Sequence, residues 1–203
     1  MREVPSPPKR KPTKTKLKKP TPVKVVKTVN AKPNTNTITT LEIEESLARF
    51  FDIRLNVIIP NISYGFHGLH ECDIFVLKSN NYATEVEIKI SLSDLKADFH
   101  KGHDHKSNYI REFYYAFPIK FYEAFEPLIP KHAGIITCEV SDEIVYSRIR
   151  RNATVNPLAK KLGIEDRLKI QRLGCMRIWS AKKREIKYKN EIKELKEKLE
   201  SKN

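Results

Sequence analysis

The sequence predicts an α/β domain with a central mixed β-sheet flanked by helices and a helical C-terminal extension. Three observations predict it. Apolar residues recur with helical spacing in some segments and alternate in others. The segments follow in the order helix–strand–strand–strand–helix–strand (αβββαβ). Charge is concentrated at the two ends, so the middle reads as one neutral folding unit.

Residues 1–33 carry eleven basic side chains against Glu3 alone, a net charge of +10. Residues 181–203 carry nine basic and five acidic groups, or +4. The formal charge of the 203-residue chain is +14, so residues 34–180 are neutral. Residues 1–37 interleave seven prolines with lysines and threonines. They are expected to be a disordered basic arm, because they hold too little apolar surface to offset their ordering entropy. Such an arm suits phosphate contact through counterion release, or simply keeps the chain soluble. Residues 38–180 form the expected domain, and residues 181–203 a charged terminal helix.

No stretch approaches the roughly 18–20 consecutive apolar residues of a membrane-spanning helix, and no secretory apolar region stands near the N-terminus. Cys72, Cys138 and Cys175 are odd in number and widely spaced. That suits buried thiols in a reducing compartment, so a cytoplasmic protein without membrane partners is expected.

The ordered part begins at Thr39 or Thr40, either a suitable N-cap, and Ile43, Leu47, Phe50 and Phe51 then share a helical face. Leu55 to Ile59 reads as a strand stopped by Pro60, and residues 61–71 as a loop. Cys72 to Lys78 and Tyr82 to Ile90 read as strands around Ser79-Asn80-Asn81. A helix with Leu92, Leu95 and Phe99 follows Ser91. Glu112 to Phe117 reads as an aromatic strand ended by Pro118, and residues around Phe121 to Phe125 as a short helix. Ala133 to Val140 and Glu143 to Ile149 form a closing hairpin. After Asn156-Pro157 the pattern is helical. Tyr188, Ile192, Leu195 and Leu199 form a short a/d seam that suits either a lone charged helix or a homodimer contact.

The chemistry lies in the second and third strands. Val86, Ile88 and Ile90 share one face of the third strand; Glu85, Glu87 and Lys89 share the other. Placing Cys72, Ile74 and Val76 on the apolar face fixes the pairing. With a three-residue loop, Lys78 faces Tyr82, Ile74 faces Val86 and Asp73 faces Glu87. Two carboxylates directly across a ladder repel one another. A divalent cation between them would explain the arrangement, and oxygen ligands suit Mg²⁺ or Mn²⁺. Lys89, on the same face, could position a water or offset charge developing on a phosphate. Glu-x-Glu-x-Lys is also the pattern of an ordinary solvated strand face. Phe75 and Leu77, on the face of Asp73, argue against a uniformly wet surface.

The pattern Asp73…Glu87-Ile88-Lys89, set between a helix and a helix–strand pair, resembles the PD-(D/E)XK nuclease superfamily. More specific runs are Val86-Glu87-Ile88-Lys89-Ile90-Ser91 with Asp94, Ala97 and Asp98, then Phe113-Tyr114-Tyr115-Ala116-Phe117-Pro118 and Ala133-Gly134-Ile135-Ile136. These are similar to the MmcB-like, DNA-repair-associated branch and its phage relatives, as is the run from Arg172 to Trp179. The resemblance covers roughly residues 39–180. Cys72 stands where the superfamily usually has proline. The resemblance implies a restriction-endonuclease-like core in a bacterial or phage-infected cell. It implies Asp73 and Glu87 as metal ligands and Lys89 as the catalytic lysine. Superfamily members often add an acid from the first helix. Among Glu42, Glu44 and Glu45, Glu44 lies closest to the apolar stripe, so it is the candidate third ligand. All three acids also suit a helix N-terminus.

Weaker signals remain. His100, His103 and His105 could bind zinc or simply stand at a helix–loop junction on the DNA-facing side, with no cysteine near. Lys96, Lys101 and Lys106, with Arg150 and Arg151, are candidate phosphate contacts or ordinary solvated cations. Arg148 adds to the basic strand end. Tyr109, Tyr114 and Tyr115 could stack bases or pack in the core. Trp179 reads as a packing anchor. The expected function is metal-dependent hydrolysis of DNA phosphodiester bonds in repair, recombination or phage DNA metabolism. The rivals are a non-catalytic DNA-binding module with the same fold and an RNA-processing or RNA-binding protein.

Overall fold

The first helix starts where its cap predicts. Thr39 is the N-cap of α1 (Thr40–Phe50), and the Glu42 carboxylate accepts from the Thr39 N–H at 2.7 Å, closing a capping box. Ile43 and Leu47 turn inward and are fully buried. This is a computed structural model, and it describes residues 38–62, 71–100 and 107–201. The expected basic arm, His103, His105, Lys101, Lys106 and the side chain of His100 lie outside the described residues.

Six strands follow: β1 (Val57–Ile62), β2 (Cys72–Leu77), β3 (Ala83–Ile88), β4 (Ile110–Pro118), β5 (Gly134–Ser141) and β6 (Ile144–Arg151). They form one mixed sheet in sequential order, β1-β2-β3-β4-β5-β6. The β3–β4 and β4–β5 pairs are parallel; the others are antiparallel. Helix α2 (Leu92–His100) makes the β3–β4 crossover, and a 3₁₀ turn with the short α3 (Tyr122–Phe125) precedes β5. Helix α4 (Ile164–Glu200) ends the chain. It runs without interruption through the boundary the sequence placed at residue 180. The expected α/β class, mixed sheet and terminal helix are therefore all present.

The two faces of the sheet are both covered. Ile43 and Leu47 of α1 pack with Ile74, Val76, Val86, Ile88, Ala116 and Ile136. Phe75, Leu77, Phe113, Tyr115 and Phe117 pack on the other face with Leu95 of α2, Phe125 of α3 and Ile170 of α4. β6 is largely exposed, but β3 is buried on both sides and has no wet face, which decides how its polar residues must be read.

Several expectations change in detail. The first strand was expected to end at Pro60. It instead runs from Val57 through Pro60 to Ile62, with Pro60 opposite Ile74. Proline is tolerated because β1 is an edge strand and needs no N–H on its outer side. Cys72 packs with Ile62, Phe75 and Leu77, not with Ile74 and Val76. The left-handed backbone at Asn61 (φ 52°) interrupts regular alternation at that end of the ladder. Asp142 and Glu143, both left-handed, form the two-residue turn of the β5–β6 hairpin. Trp179 is not a packing anchor: it lies on α4 and is 74% exposed. The seam residues Tyr188, Ile192, Leu195 and Leu199 are exposed as well. Among the described residues, no helix is long and apolar enough to cross a membrane.

Candidate acidic site

The β2–β3 hairpin has the register that strand parity predicts. Ile74 pairs with Val86 and Leu77 with Ala83, which carries Asp73 opposite Glu87 at the open end. The Lys78 N–H donates to the Tyr82 carbonyl at 2.9 Å, and Asn81 supplies the left-handed position of the three-residue loop (φ 67°). Beyond the last paired residues, the Ile88 N–H donates to Asp73 Oδ2 at 2.7 Å. The aspartate thus takes over a backbone donor where the ladder ends.

Glu85, Glu87 and Lys89 do not form a solvated strand face. All three are buried, because α2 and the lower half of the core cover this side of β3. Buried charges persist when paired. Lys89 Nζ donates to Glu87 Oε2 at 2.8 Å and to Asp98 Oδ1 at 3.0 Å. Asp98 Oδ2 accepts from the Tyr115 hydroxyl at 2.9 Å. Sequence reasoning named Asp98 only within the family-like run and read Tyr115 as a base-stacking or core residue; it joined neither to Lys89. One signal was available: Asp98 stands three residues after the core residue Leu95, hence on the inward face of α2.

Burial opposes ionisation throughout the cluster, and neighbours decide the outcome. Glu87 is pushed up to about 7, first by burial and then by the charge of Asp73, with Lys89 pulling the other way. Asp73 is raised by burial, while the Ile88 N–H and Lys89 lower it and Asp94 raises it further. Burial works against the Lys89 ammonium, yet Glu87 and Asp98 outweigh it and raise its pKa. Lys89 is a fixed cation, not a poised base.

Glu44 faces the same cluster from α1. Burial raises its pKa, the Asn61 amide (3.4 Å from Oε1) lowers it, and the charge of Asp73 raises it. Glu44 also lines a groove of about 1120 Å³ between α1, β1 and α4, whose walls include Ile59, Asn61, Glu71, Gly174 and Arg184. Of the acids, Glu44 and Glu71 line this groove; Asp73 and Glu87 are not among its walls.

The pair Asp73–Glu87 fits a divalent cation in one specific respect. Glu87 Oε1 is buried and meets no N–H or O–H donor among the described residues; without a cation, a proton shared with the neighbouring Asp73 carboxyl relieves the repulsion between them. Among the described residues, no group of three or more His, Cys, Asp or Glu side chains is gathered to hold a metal ion. The structure thus brings together Asp73, Glu87 and Lys89, with Glu44 at the groove.

Of the expected phosphate contacts, Lys96, Arg150 and Arg151 fall among the described residues. Lys96 is exposed on α2. Arg151 donates to the carbonyls of Ile129, Pro130 and Ala133, and Arg150 donates to Thr137 Oγ1 at 3.0 Å. These arginines tie β6 to its surroundings. Tyr114 and Tyr115 are both buried, which makes them core residues.

No family model matches this chain, and no curated protein matches it. Among solved structures the chain is similar to the SPO1766 protein of unknown function from Silicibacter pomeroyi. The sequences are 17% identical, the TM-score is 0.51, and the match covers 72% of this chain and 90% of that one. At this identity the likeness shows the fold alone.

Proposed function

We propose that the chain is a metal-dependent phosphodiester hydrolase of the PD-(D/E)XK type, with a restriction-endonuclease-like core, acting on nucleic acid and most directly on DNA. The observation that carries this reading is the trio of Asp73, Glu87 and Lys89, the last two buried and Asp73 half-buried. Three ionisable side chains are wholly or partly taken out of water at the end of one hairpin, with Glu44, which feels the charge of Asp73, on the wall of a groove. Perturbed titratable groups beside a cleft mark functional sites more often than structural ones.

Asp73 and Glu87 would hold Mg²⁺ or Mn²⁺, with Glu44 a third acid within electrostatic reach. A bound divalent cation supplies positive charge at a phosphoryl oxygen and lowers the pKa of a coordinated water. The chain's own residues do the rest. Lys89 commits two of its three N–H donors to Glu87 and Asp98, leaving one for a phosphate oxygen. Held rigidly and charged, it offsets negative charge developing at the scissile phosphate without reorganising. Asp98 and Tyr115 fix its direction. The groove lined by Glu44 would seat the strand on the side from which Glu44 reaches Asp73 electrostatically.

A second reading has one observation in its favour. Lys89 is satisfied within its own network, as in a structural ion cluster. The fold would then serve a non-catalytic nucleic-acid-binding module. Plasmid, linear duplex, single-stranded DNA and RNA are incubated with the protein and Mg²⁺ or Mn²⁺. Cleavage that disappears in Asp73→Ala and Lys89→Met supports the hydrolase. Retention of substrate without cleavage on every arm supports the module.

A further inference from the structure

The first half of α4 carries a charge pattern unlike the rest of the domain. Between Asp166 and Glu185 there are seven lysines and arginines and no acid. Ile170, Gly174 and Arg177 form the stripe of this helix that meets β1. Ile170 is buried, and Arg177 donates to the Asn61 carbonyl. At Gly174 a Cβ would stand 3.2 Å from Ile59 Cδ1, so the helix lies close to the strand there.

The opposite side of the helix is open. At about 100° per residue, Arg172 and Ile186 each lie about 20° from Trp179, on opposite sides of it, and Lys183 about 40° from Trp179. This group points away from the Ile170–Gly174–Arg177 stripe. Trp179 is the single tryptophan of the chain and is 74% exposed. Arg172, Lys182 and Lys183 are exposed around it, and Lys182 also lies 3.6 Å from Glu185. Lys183 stands about one turn beyond the indole and Arg172 about two turns before it.

We propose that this outer face of α4 binds single-stranded nucleic acid, with Trp179 stacking on a base and Arg172, Lys182 and Lys183 contacting phosphates on either side. Arg172, Lys182 and Lys183 on this face, in a stretch with no acid between Asp166 and Glu185, suit a polyanion. A bare aromatic ring among them adds what a phosphate cannot use and an unpaired base can, a flat surface for stacking. An anionic membrane fits less well. A helix lying in a bilayer needs a broad apolar face, and here Arg172 shares the direction of Trp179, so burying the indole drags a guanidinium with it. The proposal is independent of whether the carboxylate site cleaves anything.

The test reads Trp179 directly, since its fluorescence is the only indole signal in the full chain. The protein is titrated with oligothymidylate, with oligouridylate, and with vesicles of phosphatidylglycerol and phosphatidylcholine. Saturable quenching by an oligonucleotide, weakened by salt, is expected. Arg172→Glu with Lys183→Glu should raise the quenching midpoint at least about tenfold, through lost counterion release, with an unchanged melting temperature. Trp179→Ala, followed by the anisotropy of a labelled oligonucleotide, should weaken binding about tenfold, the worth of one stacked base. Three results overturn the proposal. The oligonucleotide can bind by anisotropy while the indole signal and both variants stay unmoved, which places binding elsewhere on the chain. The vesicles alone can shift the emission to the blue, which makes this a membrane surface. The indole can also respond to none of the three probes. Because binding is read and not cleavage, an inactive carboxylate site leaves every outcome intact.

Discussion

Asp98 stands nine residues after Lys89, on a different element, yet its Oδ1 lies 3.0 Å from the Lys89 ammonium in the protein interior. Each side chain is about 5% exposed or less. Lys89 keeps its charge there because Asp98 and Glu87 approach it from two sides. Removing the charge of Asp98 therefore unbalances a buried cluster. Asp98→Asn is expected to cost about 1–3 kcal/mol, the price of a buried hydrogen bond to a charged group. Tyr115→Phe, which removes the hydroxyl on the other Asp98 oxygen, should cost roughly 1 kcal/mol. Urea unfolding measures both. If both variants match the wild type, the four groups do not act as a network.

Glu87 predicts a dependence of stability on pH in the absence of metal. Its pKa is 4.5 as the reference value and about 7 in the folded chain. Below the lower value both states hold the proton and nothing is lost. As pH rises between the two, the unfolded chain releases the proton while the native one retains it, so stability falls. Above the higher value the loss is complete, on the order of 1–3 kcal/mol. Glu87→Gln lacks this proton. The stability of the wild type relative to Glu87→Gln should decline between about pH 5 and about pH 8, as read from urea midpoints at the two values. A constant difference would mean that Glu87 is ionised at both.

The same carboxylates predict the effect of a cation. If Asp73 and Glu87 hold Mg²⁺ or Mn²⁺, the ion binds the native chain and not the unfolded one. At a hundred times its dissociation constant it then adds about 2.7 kcal/mol. The melting temperature should rise with added Mn²⁺ in the wild type and stay fixed in Asp73→Asn and Glu87→Gln. The rise should also weaken as pH falls through about 7, where Glu87 takes up its proton and competes with the ion. A melting temperature indifferent to both cations would remove the metal from the proposed mechanism.

The pairing of Asp73 with Glu87 was legible in the sequence because it follows from local rules. Loop length and face alternation leave one register for the hairpin, and the observed Ile74–Val86 pair is that register. The burial of Glu85, Glu87 and Lys89 was not legible. Alternating charge reads as a wet face, and only the docking of α2 over β3 makes it dry. Asp98 was hidden for the same reason: its partner is fixed by how a helix packs, not by spacing along the chain. Pro60 misled because a proline ends a central strand but not an edge strand, and edge position is a property of the whole sheet. Trp179 misled because large aromatics are usually buried, whereas α4 turns this one outward.

The last prediction concerns the strand that carries Tyr115. Gly134 of β5 pairs directly with Tyr114 of β4, and a Cβ at Gly134 would stand 2.3 Å from both Cδ1 and Cε1 of that ring and 2.7 Å from the Ala153 backbone nitrogen. Neither neighbour has room to yield: Tyr114 is 6% exposed, and the other contact is main chain. Gly134→Ala should therefore destabilise the fold by about 1–3 kcal/mol, as overpacking of a close-packed core does. Shortening the ring should relieve part of the clash. In a double-mutant cycle with Tyr114→Ala, the two substitutions should be less damaging together than their separate costs imply, by at least about 0.5 kcal/mol. Strict additivity would assign the crowding to the Ala153 backbone instead. Tyr114 and Tyr115 are consecutive, so any strain that Gly134→Ala places on β4 reaches the hydroxyl that holds Asp98. The Glu87-dependent fall in stability with pH should then change in the Gly134→Ala background, while a substitution confined to the exposed half of α4 leaves it as it was.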